Sequence, residues 1–259
     1  MLSGNPTLNE NTFRNLPGGN PALEETDAMT VQGTVTKTMI LLGITVVCAI
    51  FTWGIASAGS PLTMPIMIGG AIGGLILALA TVFKPHWAPN TAVFYAICEG
   101  LFLGAISALY EMSFGTKQTS GGIPLNGIVV QAVGLTLGVF ATMLILYTAR
   151  VITVTAKLRA GIMMATGGVM LFYLVAIGLS LFGVSMPLLH NTGPLGIGLS
   201  LLIVGIAAFN LLIDFDMIER GAAQGAPKYM EWYGGFSLLV TLVWLYLEIL
   251  RLLSKLRSR

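Results

Sequence analysis

The 259-residue chain is short of charge, because 13 Lys and Arg and 11 Asp and Glu make up only 9% of it. A soluble domain carries about 25% charged residues, so this chain has too little polar surface to cover one. Its hydrophobic fraction is 55% and its mean hydropathy is +0.86. These values predict a polytopic membrane protein that contacts the lipid bilayer. A net charge of +2 with no basic patch argues against nucleic acid as a partner.

Cysteine and histidine are also scarce, with two residues of each type. Cys48 and Cys98 lie inside apolar runs without CxxC spacing, which predicts buried free thiols. His86 and His190 lie beside Pro or Gly in separate loops, and two isolated imidazoles make no metal site. The sequence contains no HExxH, no GxSxG and no phosphate-binding glycine loop. We therefore expect neither enzyme activity nor a bound cofactor.

Seven long apolar runs follow a polar start. Each run is close to the ~20 residues that cross about 30 Å of hydrocarbon as a helix, whereas barrel strands alternate over ~10 residues. The predicted fold class is therefore all-α, a polytopic membrane bundle of seven transmembrane helices. The runs are Thr38–Ala58, Met64–Phe83, Ala92–Met112, Gly127–Thr148, Gly161–Val184, Leu195–Met217 and Trp232–Leu253.

Composition divides the chain into three parts. Residues 1–35 are rich in Asn, Pro, Gly and Thr and predict a flexible polar tail without the features of a signal peptide. Residues 36–254 predict the transmembrane domain, and residues 255–259 a basic C-terminal tail. Glycine is abundant, at 32 residues, and small residues four apart let helices approach closely in lipid. The pairs with this spacing are Gly69/Gly73, Gly70/Gly74, Gly100/Gly104 and Gly134/Gly138.

Basic residues are spread unevenly over the loops. With the N-terminus inside, eight Lys and Arg residues are cytoplasmic and five are outside, which the positive-inside rule favours. The basic C-terminal tail opposes this orientation, and a re-entrant seventh run would place that tail inside. We expect the N-terminus in the cytoplasm and the C-terminus outside.

Asp214 is the most informative residue, because it lies near the end of the sixth apolar run. An ionisable group in a span is costly, faces the protein interior or a water-filled cavity, and marks an ion or proton pathway. Glu99 lies roughly 10 Å deep in the third run, toward the same membrane face. We assign both acids to an ion pathway, and the alternative for each is a structural hydrogen bond to another helix.

The remaining acids near the spans are interpreted more simply. Asp216 is about 200° round the helix from Asp214, so the two cannot face the same pore. Glu248 precedes Arg251 by three residues, a spacing at which opposite charges pair on a helix, so a local ion pair is favoured over a pore role. The acids interpreted as boundary residues are Glu111, Asp216, Glu219 and Glu231.

The segment Leu212–Ile218, the seven spans and a last span rich in Leu and aromatic residues together resemble the Bax inhibitor family. The polar start, Ser3–Asn9, is similar to that of a large bacterial branch of this family. The resemblance extends from Ser3 to Leu253. It implies a calcium leak of the bacterial inner membrane that responds to pH through two acids of the last two helices.

Asp214 takes the first acidic position of that resemblance, but the second is altered. Thr241 stands where many members have Asp, and Glu248 follows two turns later on roughly the same face. Lys84 is the candidate for the family's basic gating residue at the end of the second span. We expect Glu99 to replace the missing acid as the partner of Asp214.

The resulting hypothesis is a calcium or cation leak channel gated by protonation of intramembrane carboxylates. Two nearby carboxylates in a dry site cannot both ionise easily, and Asp214 with Glu99 would bind passing Ca²⁺ only transiently. Ca²⁺ is then the transported ion. The alternative is a non-conducting regulator that binds other membrane proteins, such as a membrane-bound protease. A proton-coupled transporter would need a substrate site near the midplane.

Overall fold

A computed structural model describes residues 28–115, 127–183 and 192–258, and these form seven long α-helices. Each is long and apolar enough to cross a membrane, which confirms the predicted all-α class and makes the chain a multi-pass membrane protein. A short 3-10 turn, Pro85–Trp87, precedes the third helix. The helices are α1 Val31–Ser57, α2 Thr63–Phe83, α3 Ala88–Phe114, α4 Ile128–Thr148, α5 Ala156–Leu181, α6 Pro194–Ala223 and α7 Met230–Arg257.

Several helices extend past the apolar runs that predicted them. α1 begins at Val31, inside the stretch assigned to the tail, because the Thr30 hydroxyl caps it by accepting from the Gly33 N–H at 2.9 Å. α6 continues to Ala223 and α7 to Arg257. Hydropathy detects only the part of a helix that lies in hydrocarbon. Residues 1–27 of the predicted tail and His190 lie outside the described residues.

α7 occupies the centre of the bundle. It contacts α1, α3, α4 and α6, and its buried residues extend along its whole length, from Glu231 to Lys255. α5 is the opposite case, since its main contact is with α6 and, among its side chains that the structure describes, only Ile162 and Ala176 are buried. The interface between α6 and α7 is therefore deep in the molecule, while α5 is peripheral.

The first described residues lie against the loop between α6 and α7. The Met29 N–H donates to the Ala226 carbonyl at 2.7 Å, and the Thr30 N–H and hydroxyl both donate to Glu231 Oε1, at 3.0 and 2.9 Å. Because consecutive helices cross in opposite directions, the α2–α3 corner and the α4–α5 loop share this side, which we call the N-face. α6 begins and α7 ends at the opposite C-face, where Lys255 Nζ donates to the Gly196 carbonyl at 3.1 Å.

α3 presses against α1 through one of the predicted glycine pairs. A Cβ added at Gly100 would lie 2.5 Å from the Thr45 carbonyl oxygen, and one at Gly104 would lie 2.2 Å from the Ala49 carbonyl oxygen. Only glycine allows the two backbones to approach this closely. The Gly100/Gly104 prediction of close helix packing is confirmed.

The other glycine pairs divide by the face on which they lie. A Cβ at Gly70 of α2 would come within 2.7 Å of the Cys98 carbonyl oxygen on α3, so this pair also serves helix packing. Gly134 and Gly138 of α4 have open space, with nothing within 4 Å of an added Cβ. The prediction of close packing at that pair is wrong, because residue spacing does not tell which face meets a neighbouring helix.

Polar contacts attach α5 to α6 and α7 at three levels. The three residues of α5 that make these contacts, Arg159, Thr166 and Tyr173, are seven apart in sequence. They therefore lie on one stripe of the helix, which we call the polar stripe of α5. From the N-face to the C-face the pairs are Arg159 with Asp216, Thr166 with Asn210 (2.8 Å) and Tyr173 with Glu248 (2.7 Å).

Candidate functional site

The Asp214 side chain points from α6 toward α7, and only 7% of the residue is exposed. Its Oδ1 accepts a hydrogen bond from the Ser237 hydroxyl at 2.7 Å, and its Oδ2 accepts one from the Thr241 hydroxyl at 2.6 Å. In the part of the chain that the structure describes, no Lys or Arg forms an ion pair with it. The site is therefore a buried carboxylate that two neutral hydroxyls hold in place.

Helical spacing explains how both hydroxyls reach one carboxylate. Ser237 and Thr241 are four residues apart on α7, so they lie one turn above each other on the same face. Asp214 lies about 14 Å before the C-terminal end of α6, at a rise of 1.5 Å per residue. The apolar residues buried beside these three in sequence are Leu211, Leu212, Phe215, Leu238, Leu239 and Leu242. The site is thus kept dry well inside the bundle.

Thr241, which occupies the second acidic position of the resemblance, is a direct hydrogen-bond partner of Asp214. A carboxyl group at position 241 would lie beside Asp214, but this chain has a hydroxyl there. A pair of acids titrates as a coupled unit, whereas this site has one titratable group. Ser237 was not identified from the sequence, although its spacing of four from Thr241 is visible there.

Glu99 is not brought to Asp214. Its carboxylate faces α2, where a Cβ added at Gly74 would lie 2.8 Å from Glu99 Oε2, and Tyr95 on its own helix is a further neighbour. The Tyr95 ring packs against Phe236 of α7, with centroids 5.0 Å apart. Equal depth in the bundle suggested the pairing, but α3 turns Glu99 toward α2 while α6 turns Asp214 toward α7.

Glu248 belongs to a separate cluster near the C-face. Its side chain is 3% exposed, and Arg251 Nη1 lies 3.2 Å from Oε1, so the predicted ion pair is confirmed. Tyr173 of α5 donates to the same oxygen at 2.7 Å and is itself contacted by Arg251. Glu248 therefore does not supply a second carboxylate at Asp214. It lies two turns, about 10 Å, farther along α7 than Thr241, which contacts Asp214.

Lys84 lies at the C-terminal end of α2, on the N-face. Its Nζ is 4.1 Å from the centroid of the Trp87 ring, and the residue is exposed. This cation–π contact fixes Lys84 at the α2–α3 corner. The described contacts of Asp214 do not include it.

Asp216 is more deeply buried than a boundary residue, with 10% of its side chain exposed. It forms ion pairs with Arg159 of α5 and with Arg220 of α6, whose Nε lies 2.9 Å from Oδ1. Asp214 faces α7 and Asp216 faces α5, in agreement with their angular separation on the helix. Asp216 thus fastens α5 to the bundle rather than contributing to the Asp214 site.

Replacing Asp216 with Asn should lower stability, because two arginines then lose their shared counter-ion. We expect a loss of about 1–2 kcal/mol, between the values typical of exposed and buried pairs, measured as thermal unfolding in detergent. Glu219→Gln is the matched control, since Glu219 pairs with Arg150 in a more exposed position. Equal losses in the two variants would contradict a special role for Asp216.

The Asp214 site offers few ligands for a metal ion. It presents two carboxylate and two hydroxyl oxygens, whereas Ca²⁺ takes six to eight oxygen ligands. In residues 28–115, 127–183 and 192–258, no three His, Cys, Asp or Glu side chains are grouped to hold a metal.

The chain was compared with known families, curated proteins and solved structures. A family model described as "Bax inhibitor 1 like" matches residues 5–258, nearly the whole chain. No curated protein and no solved structure matches it. The matched region includes all seven helices together with Asp214 and Thr241.

Proposed function

Because the chain belongs to the Bax inhibitor 1 like family, we propose that it is a pH-sensitive leak channel for calcium or other cations in the bacterial inner membrane. The observation that carries this proposal is the buried carboxylate of Asp214, which two hydroxyls of α7 hold. An ionisable group placed inside a membrane bundle marks an ion or proton pathway. Asp214 is then the group whose protonation gates the leak.

Protonation of Asp214 changes the hydrogen bonds between α6 and α7. An ionised carboxylate only accepts, so it serves the hydroxyls of Ser237 and Thr241 together, whereas a protonated one also carries a donor. One hydroxyl must then turn round or lose its acceptor. Hydrogen bonds to a charged group contribute about 1.5–3 kcal/mol and neutral ones about 0.5–1.5 kcal/mol. The contact therefore weakens in acid.

The central position of α7 makes this contact suitable for gating. α7 packs against four other helices and also contacts α5 through Glu248, so loosening it from α6 alters packing through the whole bundle. We assign the closed state to ionised Asp214 and the conducting state to the protonated form. Conduction also requires that the ion leave easily, and a protonated Asp214, which is neutral, would hold a cation only weakly.

The charges of the described helices support the orientation with the N-face in the cytoplasm. Seven Lys and Arg residues lie at the N-face and three at the C-face, and a cytoplasmic excess is the common pattern. At the N-face these are Lys37, Lys84, Arg150, Lys157, Arg159, Arg220 and Lys228. At the C-face they are Arg251, Lys255 and Arg257.

Calcium flux into liposomes that contain the purified protein tests the proposal directly. We expect flux that rises as the pH is lowered through neutrality, compared with protein-free liposomes of the same lipid. Absence of protein-dependent flux at every pH would contradict a leak channel.

Thr241→Asp would restore a second acid beside Asp214. Two carboxylates in contact cannot both ionise easily, so the midpoint of the flux–pH curve should move to higher pH, by about one unit or more. Thr241→Val is the control, because it removes the hydroxyl without adding an acid. An unchanged midpoint in Thr241→Asp would show that this position does not influence gating.

A second candidate function is a non-conducting regulator that binds other membrane proteins. The favouring observation is the attachment of Met29 and Thr30 to the α6–α7 loop, which connects the N-terminal region to the two helices of the Asp214 site. Deleting residues 1–27 leaves this attachment in place. A regulator that uses its tail would then lose partner binding, whereas the channel should keep its pH-dependent flux.

A further inference from the structure

Two clefts flank the polar stripe of α5 near the N-face. One has a volume of about 320 Å³ and is lined by Lys157, Leu158, Gly161, Ile162 and Ala165 of α5 together with Ile206 and Phe209 of α6. We call it the Lys157 cleft. The other, of about 330 Å³, lies on the far side of the stripe.

The Lys157 cleft has room beside two small residues of α5, Gly161 and Ala165, although Leu158 and Ile162 also line it. A Cβ added at Gly161 would meet nothing within 4 Å, and Ala165 adds only a methyl group. The polar stripe holds α5 against α6, so this space remains beside the contact. The result is an apolar groove that extends from a basic residue at the helix end toward the middle of the membrane.

α5 begins with cations at the positive end of its helix dipole. Lys157 and Arg159 lie near its start, and its first turn contains no acid. Positive side chains are unfavourable at a helix N-terminus, where anions are stabilised. Asp216 pairs with Arg159, but among the described residues no acid forms an ion pair with Lys157. The mouth of the cleft therefore attracts an anion that these residues do not supply.

We propose that the Lys157 cleft binds one anionic phospholipid. The phosphodiester lies against the Lys157 ammonium group and the positive end of α5, and one acyl chain lies along Gly161 and Ala165 between the two helices. Basic pockets between transmembrane helices recognise anionic headgroups in this way. A single groove thus meets both the charge and the apolar part of the lipid.

The dimensions of the cleft select a lipid chain over a protein helix. From Lys157 to Ala165, α5 rises about 12 Å. The cleft of about 320 Å³ beside this stretch has room for part of one extended hydrocarbon chain. A helix about 10 Å across is too wide. The site does not depend on conduction, because the lipid binds whether or not cations pass.

Native mass spectrometry of the full-length protein in detergent tests this site, with phosphatidylglycerol and phosphatidylcholine of identical acyl chains as the added lipids. The wild type should retain phosphatidylglycerol in preference. Lys157→Gln should reduce that preference about fivefold, the effect of one basic residue near an anionic headgroup. Gly161→Leu should reduce retention of both lipids by filling the groove.

Lys37→Gln is the matched control. It removes the same charge at the same face, but Lys37 lies over the Trp232 ring, 5.0 Å from its centroid, and does not line the cleft. Its lipid preference should equal that of the wild type. Equal loss in Lys37→Gln would show a general surface charge effect, and full retention in Lys157→Gln would overturn the site. Lys157 is exposed, so its substitution should not disturb folding. The lipid preference of Lys157→Gln can therefore be measured even if Gly161→Leu fails to fold.

Discussion

Asp214→Asn should abolish the pH dependence of calcium flux and hold the protein at its acid-side conductance at every pH. The Asn amide is neutral, like the protonated carboxyl group. It has one acceptor oxygen and one donor group, so it cannot accept hydrogen bonds from both Ser237 and Thr241 as the ionised carboxylate does. The contact between α6 and α7 then stays in its weaker form. Flux into liposomes over a pH series around neutrality, compared with the wild type, measures the effect.

Glu219→Gln is the control for loss of an acid from the same helix. Glu219 lies at the N-face and contacts Arg150 and Tyr147, away from the hydroxyls that hold Asp214. We expect this variant to keep the wild-type pH profile. If Asp214→Asn also kept that profile, Asp214 would have no part in gating, and its hydrogen bonds would be structural.

Gly104→Ala should produce the largest loss of stability among single methyl additions in the described helices. The new Cβ would lie 2.2 Å from the carbonyl oxygen of Ala49 and 2.8 Å from its Cα. These are backbone atoms of α1 that cannot rotate away, so α1 and α3 must separate. Overpacking typically costs about 1–3 kcal/mol, and we expect the upper part of this range in denaturant unfolding in detergent.

Gly138→Ala is the matched control, because it has the same substitution and the same glycine spacing. Nothing lies within 4 Å of an added Cβ at Gly138, and Ala is favoured over Gly in a helix by up to about 1 kcal/mol. This variant should be as stable as the wild type or slightly more stable. A Gly104→Ala protein of wild-type stability would contradict the close contact between α1 and α3.

The sequence alone is sufficient to predict the seven helices and to single out Asp214, for a physical reason. A run of apolar residues long enough to cross hydrocarbon is visible in composition alone, and an acid within such a run is conspicuous. The Glu248–Arg251 pair is equally visible, since both residues lie on one helix. These features depend only on positions along the chain.

Contacts between helices are harder to predict, because they depend on how each helix is rotated about its axis. In a soluble helix the apolar face shows that rotation, but in lipid both the buried and the exposed faces are apolar. Depth alone therefore predicts a pairing of Glu99 with Asp214 that the structure does not contain, and spacing alone predicts a close contact at Gly134/Gly138 that this pair does not make. The contact of Ser237 with Asp214 also depends on how α7 is rotated, so the sequence alone does not indicate it.

The polar stripe of α5 restricts how that helix can move. Arg159, Thr166 and Tyr173 are three different side chains, each with its own partner, so a slide of two turns would set Thr166 opposite the carboxylate of Asp216 and leave Arg159 without it. A shorter slide would separate all three pairs together. α5 consequently has a single docked register, and any displacement of it is an all-or-none event.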